Sequence, residues 1–320
     1  MEGIPVILSV SRRTDIPDYY SEWFMNRLKE GFLYVRNPMN PHQISRIDVS
    51  PRVVECIVFW TKNPTNMMKQ LIHLQNYTYY FQFTLTGYGK DIEPGLPDKR
   101  SVLIPVFQRL SEAIGKERVI WRYDPILINK KYTMDYHIKA FGEIAERLAD
   151  YTEKVVISFI DFYEKTRRNT EGLVMKEMTQ EDIVCLAGEM AKIAFKHHLR
   201  IETCAEQIDL QHIGIEHGSC IDQKLIERLL GCRLNGGKDK NQRKECGCLE
   251  SIEVGTYHTC LNGCKYCYAN FSDQKVKESV KLYRADSPLL CGNIESEDKV
   301  TNRKIRILRD DQMSLPELLE

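Results

Sequence analysis

The sequence has no apolar run approaching the length of a membrane helix. Its opening Met-Glu-Gly-Ile-Pro carries no charged, apolar, cleavable leader. These absences predict a cytoplasmic protein with no membrane partner. Net charge is missing too, because 45 basic and 45 acidic residues cancel. Overall charge therefore gives no support for nucleic acid as a partner, and only a local basic patch would attract it. There is no Gly-rich dinucleotide fingerprint, no internal repeat and no low-complexity tract. Cysteine is scarce at first: only Cys56 and Cys185 precede residue 200, and the other nine lie between Cys204 and Cys291. In a reducing compartment such a cluster is not a disulfide framework. It reads as a metal-binding region placed on an ordinary scaffold.

The scaffold is legible from its periodicity. The chain has 320 residues, 42% of them hydrophobic, which is enough for one α/β core. Short β-branched and aromatic runs predict strands at 6–10, 53–60, 79–85, 119–123, 155–159 and 200–204. Helical spacing fills the intervals at 20–30, 65–74, 101–114, 134–148 and 179–195. This alternation predicts an α/β fold, a full or partial (βα) TIM-type barrel over residues 1–235. Residues 207–250 read as irregular around one helix at 222–230. A cysteine-rich region spans 236–292, and a charged tail spans 293–320. Each strand runs into a polar segment: 11–15, 61–64, 86–90, 122–125, Asp161-Phe162-Tyr163, and 202–206. Any one of these simply starts a loop or caps a helix. Together, at the C-terminal ends of parallel strands, they predict a polar pocket.

The run Cys260-Leu261-Asn262-Gly263-Cys264-Lys265-Tyr266-Cys267 has the spacing Cys-x3-Cys-x2-Cys. Three thiolates on one short loop can hold three corners of a 4Fe–4S cluster and leave one iron open, whereas ferredoxins close all corners with cysteine. Gly263 permits the tight turn, and Tyr266 can cover a bound cofactor. Zinc competes, because Cys246-Gly247-Cys248 can lend the fourth donor that a structural zinc site wants. Cys232, Cys246, Cys248 and Cys291 also offer ligands for a second iron–sulfur cluster. His258, two residues from a ligand, is expected to support the ligands rather than join them. Cys204 ends a strand and is a candidate hydrogen-atom donor, against the alternative of a buried structural thiol. Lys62 and Arg12 make the pocket cationic. Lys238, Lys240, Arg243 and Lys244 form a basic run, read as a solvated loop or a phosphate contact.

The Cys-x3-Cys-x-aromatic-Cys loop resembles the cluster motif of radical S-adenosylmethionine enzymes. Thr14-Asp15-Ile16-Pro17, Phe59-Trp60-Thr61-Lys62-Asn63, Glu93-Pro94-Gly95-Leu96-Pro97 and Arg122-Tyr123-Asp124-Pro125-Ile126 resemble successive blocks of the spore photoproduct lyase branch. The resemblance covers residues 8–160 and 252–270. The whole chain is also similar to a family of uncharacterised microbial proteins, a domain of unknown function with a C-terminal cysteine cluster of radical-enzyme type. This resemblance implies a 4Fe–4S cluster on Cys260, Cys264 and Cys267, with S-adenosylmethionine at the open iron. It also implies an electron donor such as a flavodoxin or ferredoxin, and a 5′-deoxyadenosyl radical acting on an unnamed substrate. It places Thr14 and Asp15 at the cofactor amine or ribose, Arg122 on the cofactor carboxylate, and Asp124 on the ribose hydroxyls. The structural alternatives are a helix N-cap at Thr14–Asp15 and a plain Arg122–Asp124 pair.

In that superfamily the cysteine loop follows the first strand; here it follows the last. Circular permutation reconciles the two. The first and last strands of a barrel are neighbours, so a strand at 251–255 beside the first would return the loop to the same mouth and complete the barrel. Two other classes remain open. One is a non-catalytic zinc- or iron–sulfur-bearing nucleic-acid-binding protein. The other is a barrel hydrolase or isomerase with a structural metal site.

Overall fold

A computed structural model describes residues 4–160, 169–270 and 272–309. The expected polar segment Asp161-Phe162-Tyr163 and the end of the tail from residue 310 lie outside the described residues. Eight strands form the main sheet: β1 (Ile7–Val10), β2 (Cys56–Thr61), β3 (Tyr79–Thr84), β4 (Val119–Ile126), β5 (Lys154–Phe159), β6 (Arg200–Cys204), β7 (Glu216–Gly218) and β8 (Ile252–Glu253). Their order across the sheet is β7-β6-β5-β4-β3-β2-β1-β8, and every pairing is parallel.

Side chains alternate between faces with the period of two that a strand imposes. Leu8, Phe59, Phe81, Trp121 and Ile157 face the larger core. There they meet the buried stripes of α1 (Ser21–Glu30), α2 (Ile104–Ile114), α3 (Met134–Leu148) and α4 (Gln180–Lys196). Local chemistry sets the starts of these helices. The Thr133 hydroxyl accepts from the Tyr136 N–H, and Thr179 with Asp182 forms a capping box. Ile7, Val58, Tyr80, Ile120 and Val156 face the other way. They are covered by the chain itself, through Cys220, Ile221, Cys248, Leu249, Leu308 and α5 (Gln223–Leu230). Burial on both faces explains why these strands read as near-continuous apolar runs.

The sheet is open, since β7 and β8 are its two edges and do not pair. The full barrel closure allowed for in the sequence is therefore not formed. At three and two residues, these edge strands are too short to build a closing ladder. β8 nevertheless lies directly beside β1, with Ile252 opposite Leu8 and Glu253 opposite Ser9. The Glu253 carboxylate fastens this edge. It accepts from Ser9 Oγ at 2.6 Å, Ser11 Oγ at 2.5 Å, and the backbone N–H groups of Arg12 at 3.1 Å and Gly255 at 3.0 Å.

Other elements depart from the sequence reading. The 65–74 helix splits into a turn of α-helix, Thr65–Met68, and a 3-10 turn, Leu71–Leu74. An antiparallel hairpin, Phe32–Asn37 with Asn40–Asp48, carries Lys299–Asn302 as a third, parallel strand. Part of the supposed tail is thus sheet. After the cysteine loop comes α6 (Asp273–Lys281). Among the described residues no helix is long and apolar enough to cross a membrane.

Candidate functional site

Along the inner face of the sheet, side chains change from apolar to polar towards the C-terminal ends. Ile120 gives way to Arg122 and Asp124 on β4, and Val156 to Ser158 on β5. A cavity of about 740 Å³ opens there, lined by the segment after β1, by residues of β2 to β6 and by the cysteine loop after β8. This is the end at which parallel α/β sheets place their ligands. Cys260, Cys264 and Cys267 all line it, each half-buried.

The cysteine loop is pinned on three sides. Asn262 accepts from the Tyr19 hydroxyl at 2.8 Å and donates to Asp15 at 3.3 Å. The Gly95 N–H donates to the Asn262 carbonyl at 3.0 Å, and the Lys265 N–H to the Ile92 carbonyl at 2.9 Å. A Cβ on Gly95 would lie 2.7 Å from that Asn262 oxygen, so only glycine allows the two loops to approach so closely. Gly263 has φ of +65°, as the turn between two of the cysteines requires. His258 closes the base of the loop through its N–H to Ala269 O at 3.1 Å, and it does not line the cavity.

Beside the loop is a charged hub that sequence reasoning missed. Glu93 accepts from Lys62 Nζ at 2.8 Å and Thr86 Oγ1 at 3.0 Å, and also from Lys99 Nζ and the Tyr266 hydroxyl. Burial pushes the Glu93 carboxyl up, but the two ammonium groups outweigh it and hold it down at about 2. Lys62 moves upward: burial opposes its charge, but Glu93 and the nearby Cys264 more than offset this. Lys99 moves downward, because burial dominates its share of the same carboxylate. Two ammonium groups against one carboxylate leave surplus positive charge next to Cys264. The only hint in the sequence was Glu93's place at the head of the Glu-Pro-Gly-Leu-Pro block.

The other expected site residues divide. Asp15 is the N-cap of the short helix Ile16–Tyr19. Its two oxygens accept from Asp18 N, Thr61 Oγ1, Lys62 N and Asn262 Nδ2. A carboxylate offers about four acceptor positions, so Asp15 anchors this corner of the site, in line with the helix N-cap alternative. Thr14 Oγ1 is buried at the cavity wall with no hydrogen-bond partner. Arg122 and Asp124 form an ion pair. The guanidinium also donates to Cys220 Sγ at 2.8 Å and to Gln82 Oε1 at 3.4 Å, while Ser158 donates to Asp124. They thus form the Arg–Asp pair offered as the structural alternative, and both line the cavity. Tyr266 lines the cavity and packs in its wall with Tyr88, Ile92 and Tyr132. Lys238, Lys240, Arg243 and Lys244 are exposed.

The cysteine set expected for a second cluster is also rearranged. Cys246 and Cys248 line the cavity, but Cys232 and Cys291 do not. Cys291 is buried in the larger core beside Tyr20. In their place stand Cys204 and Cys220, whose sulfurs are 3.1 Å apart. Cys220 follows a three-residue strand in a segment with no periodic pattern, so no local signal marked it.

These residues fit an iron–sulfur cluster in three respects. The three loop thiols open into one cavity, surplus positive charge lies beside them, and Thr14, whose buried hydroxyl has no hydrogen-bond partner, lines the same cavity. Among the described residues no three or more His, Cys, Asp or Glu side chains are gathered to hold a single metal ion. A cluster instead spreads its thiolates over separate irons.

The fold and the site define an open parallel α/β protein with a thiol-rich, cationic cavity at the C-terminal ends of its strands. The chain belongs to the family described as "Domain of unknown function (DUF1848)", which matches residues 7–269. That span opens on β1 and closes just past Cys267. No curated protein matches the chain. One similar solved structure is titled "putative alpha-L-fucosidase" from Bacteroides thetaiotaomicron. It is 10% identical, with a TM-score of 0.27, covering 71% of this chain and 94% of that one. A likeness at that level carries no argument.

Proposed function

We propose that this chain is a radical S-adenosylmethionine enzyme on a circularly permuted, incomplete (βα) barrel. The observation that carries the reading is the placement of the Cys-x3-Cys-x2-Cys loop. It leaves a strand that lies beside β1 and turns all three thiols into the cavity at the strand ends. Permutation of a barrel demands this neighbourhood.

On this reading Cys260, Cys264 and Cys267 hold a 4Fe–4S cluster, and the cationic hub of Lys62 and Lys99 offsets its negative charge. Asp15 and Asn262 fix the loop, and the Thr14 hydroxyl is available to a polar group of the cofactor or substrate. Tyr266, Tyr88 and Tyr132 keep water from one wall. When bound, the cluster and S-adenosylmethionine supply one-electron cleavage of the sulfonium and a carbon radical that abstracts hydrogen; the protein supplies position and shielding. A flavodoxin or ferredoxin fits the role of electron donor.

The test begins with protein purified without oxygen, reduced and given S-adenosylmethionine. The expected result is an iron- and sulfide-containing brown protein that releases 5′-deoxyadenosine, with release abolished in Cys264→Ala. A colourless protein with bound zinc and affinity for nucleic acid would replace this reading with that of a binding module.

A further inference from the structure

A second set of thiols lines the same cavity as the first. Cys204 ends β6, Cys220 follows β7, and Cys246 and Cys248 come from the loop after α5. Cys204 and Cys220 have their sulfurs 3.1 Å apart. Cys248 lies within hydrogen-bonding reach of both Cys220 and Cys246. The four sulfurs are therefore joined by successive contacts, 204-220-248-246, and all four residues line the cavity.

The surroundings are built for sulfur. Arg122 Nη1 donates to Cys220 Sγ at 2.8 Å, and the Ile221 N–H donates to Cys248 Sγ at 3.3 Å. The loop is held by Leu249 N to Ile221 O at 3.1 Å and Asp239 N to Cys248 O at 2.9 Å. A Cβ on Gly247 would lie 2.5 Å from Ser219 Oγ, so glycine between the two cysteines lets this loop close on the Cys220 segment. Packing alone does not explain the arrangement. Thiols are weak hydrogen-bond partners, and four from three separate segments offer an apolar core nothing that aliphatic side chains would not.

We propose that Cys204, Cys220, Cys246 and Cys248 bind a second iron–sulfur cluster, ligated by four cysteines. All-sulfur donor sets select zinc or iron–sulfur clusters. Zinc draws four donors to one point, and among the described residues no such single-ion group is gathered. A set of thiols lining a cavity suits the separate irons of a cluster. The donor hydrogens of Arg122 and Ile221 then point at cluster thiolates, an arrangement that tunes reduction potential. This centre uses none of the loop cysteines and does not depend on the reading given for them.

The experiment compares anaerobically reconstituted parent with two variants, each checked for folding by circular dichroism. One is Cys260→Ser/Cys264→Ser/Cys267→Ser, and the other is Cys246→Ser/Cys248→Ser. Each is expected to keep about half of the parent's iron and sulfide, since each keeps one cluster site. If the triple variant loses all iron and the double variant none, the second cluster is overturned while the loop cluster stands. If the triple variant keeps all the parent's iron and the double variant loses it, the loop reading fails and this one stands. Zinc in place of iron at the second site would also overturn the proposal. Should the triple variant not fold, an unchanged iron content in the double variant suffices to refute it.

Discussion

Replacing Glu93 by glutamine removes the one carboxylate that two buried ammonium groups share. Lys62 and Lys99 have side chains 15% and 16% exposed, and Glu93 only 1%. The Glu93 carboxyl drops from 4.5 to about 2 on folding, which corresponds to about 3 kcal/mol of differential stabilisation. Because the folded value is the lower one, this stability is complete above pH 4.5 and is lost as pH falls towards about 2. At neutral pH the substitution should cost about 3–5 kcal/mol, the range for breaking a buried pair from one side. Lys99 limits the loss, because burial already disfavours its charge and it can release its proton. The expected value therefore lies near the lower end. Urea unfolding at pH 7.5 measures it. A second readout is specific to the hub. The amide oxygen can still accept from the Tyr266 hydroxyl, but the charge that fixes Lys62 beside it is gone, so under the proposed function iron incorporation should fall along with stability. Glu93→Gln/Lys99→Met removes one of the two stranded cations and should recover part of the loss. A cost below about 1 kcal/mol for the single substitution, the level of a surface pair, would refute the hub as an anchor.

Two further outcomes follow from the same packing. His137 donates from Nε2 to Leu127 O at 2.9 Å and accepts at Nδ1 from the Tyr123 hydroxyl at 2.8 Å, so the folded protein holds it neutral. Burial lowers it from 6.5 to about 4, and stability is lost as pH falls through that window. His137→Gln, which cannot titrate, should gain about 3 kcal/mol relative to the parent between pH 7.5 and 4; an unchanged difference would refute the assignment. Gly95→Ala forces a methyl group against the Asn262 carbonyl. It should cost about 1–3 kcal/mol in urea unfolding and weaken iron retention, and a neutral effect would mean that the two loops are not in contact.

The strands were legible where burial on both faces wrote the pattern. Arg200–Cys204 and Met134–Leu148 match the expected ranges, and β8 lies within the stretch expected of a displaced strand. The 65–74 helix misled because its apolar residues continue across a break into a 3-10 turn. The hairpin at Phe32–Asn37 and Asn40–Asp48 was missed because most of its residues are only partly buried or exposed, so little apolar alternation marks it, and its third strand, Lys299–Asn302, comes from far along the chain. At the site, the loop cysteines were readable from local spacing. Glu93 and Cys220 were not, because their partners lie far along the chain: Tyr266 is 173 residues from Glu93, and Arg122 is 98 residues from Cys220. The N-cap role of Asp15 was legible as an alternative, but its four hydrogen-bond donors come from three separate segments that no local pattern joins.

The bond between Ser9 and Glu253 spans 244 residues, and this has a consequence for the order of assembly. Chains emerge from synthesis amino-terminus first. β1 to β7 therefore exist, and can begin to pair, before β8 has been made. The cysteine loop that follows β8 is the last part of this edge to arrive, and it docks onto walls that are already in place. The order of the strands along the chain is in this sense also a timetable. A loop after the first strand would hold its thiols bare through most of synthesis, whereas this one presents them only when the chamber around them can close.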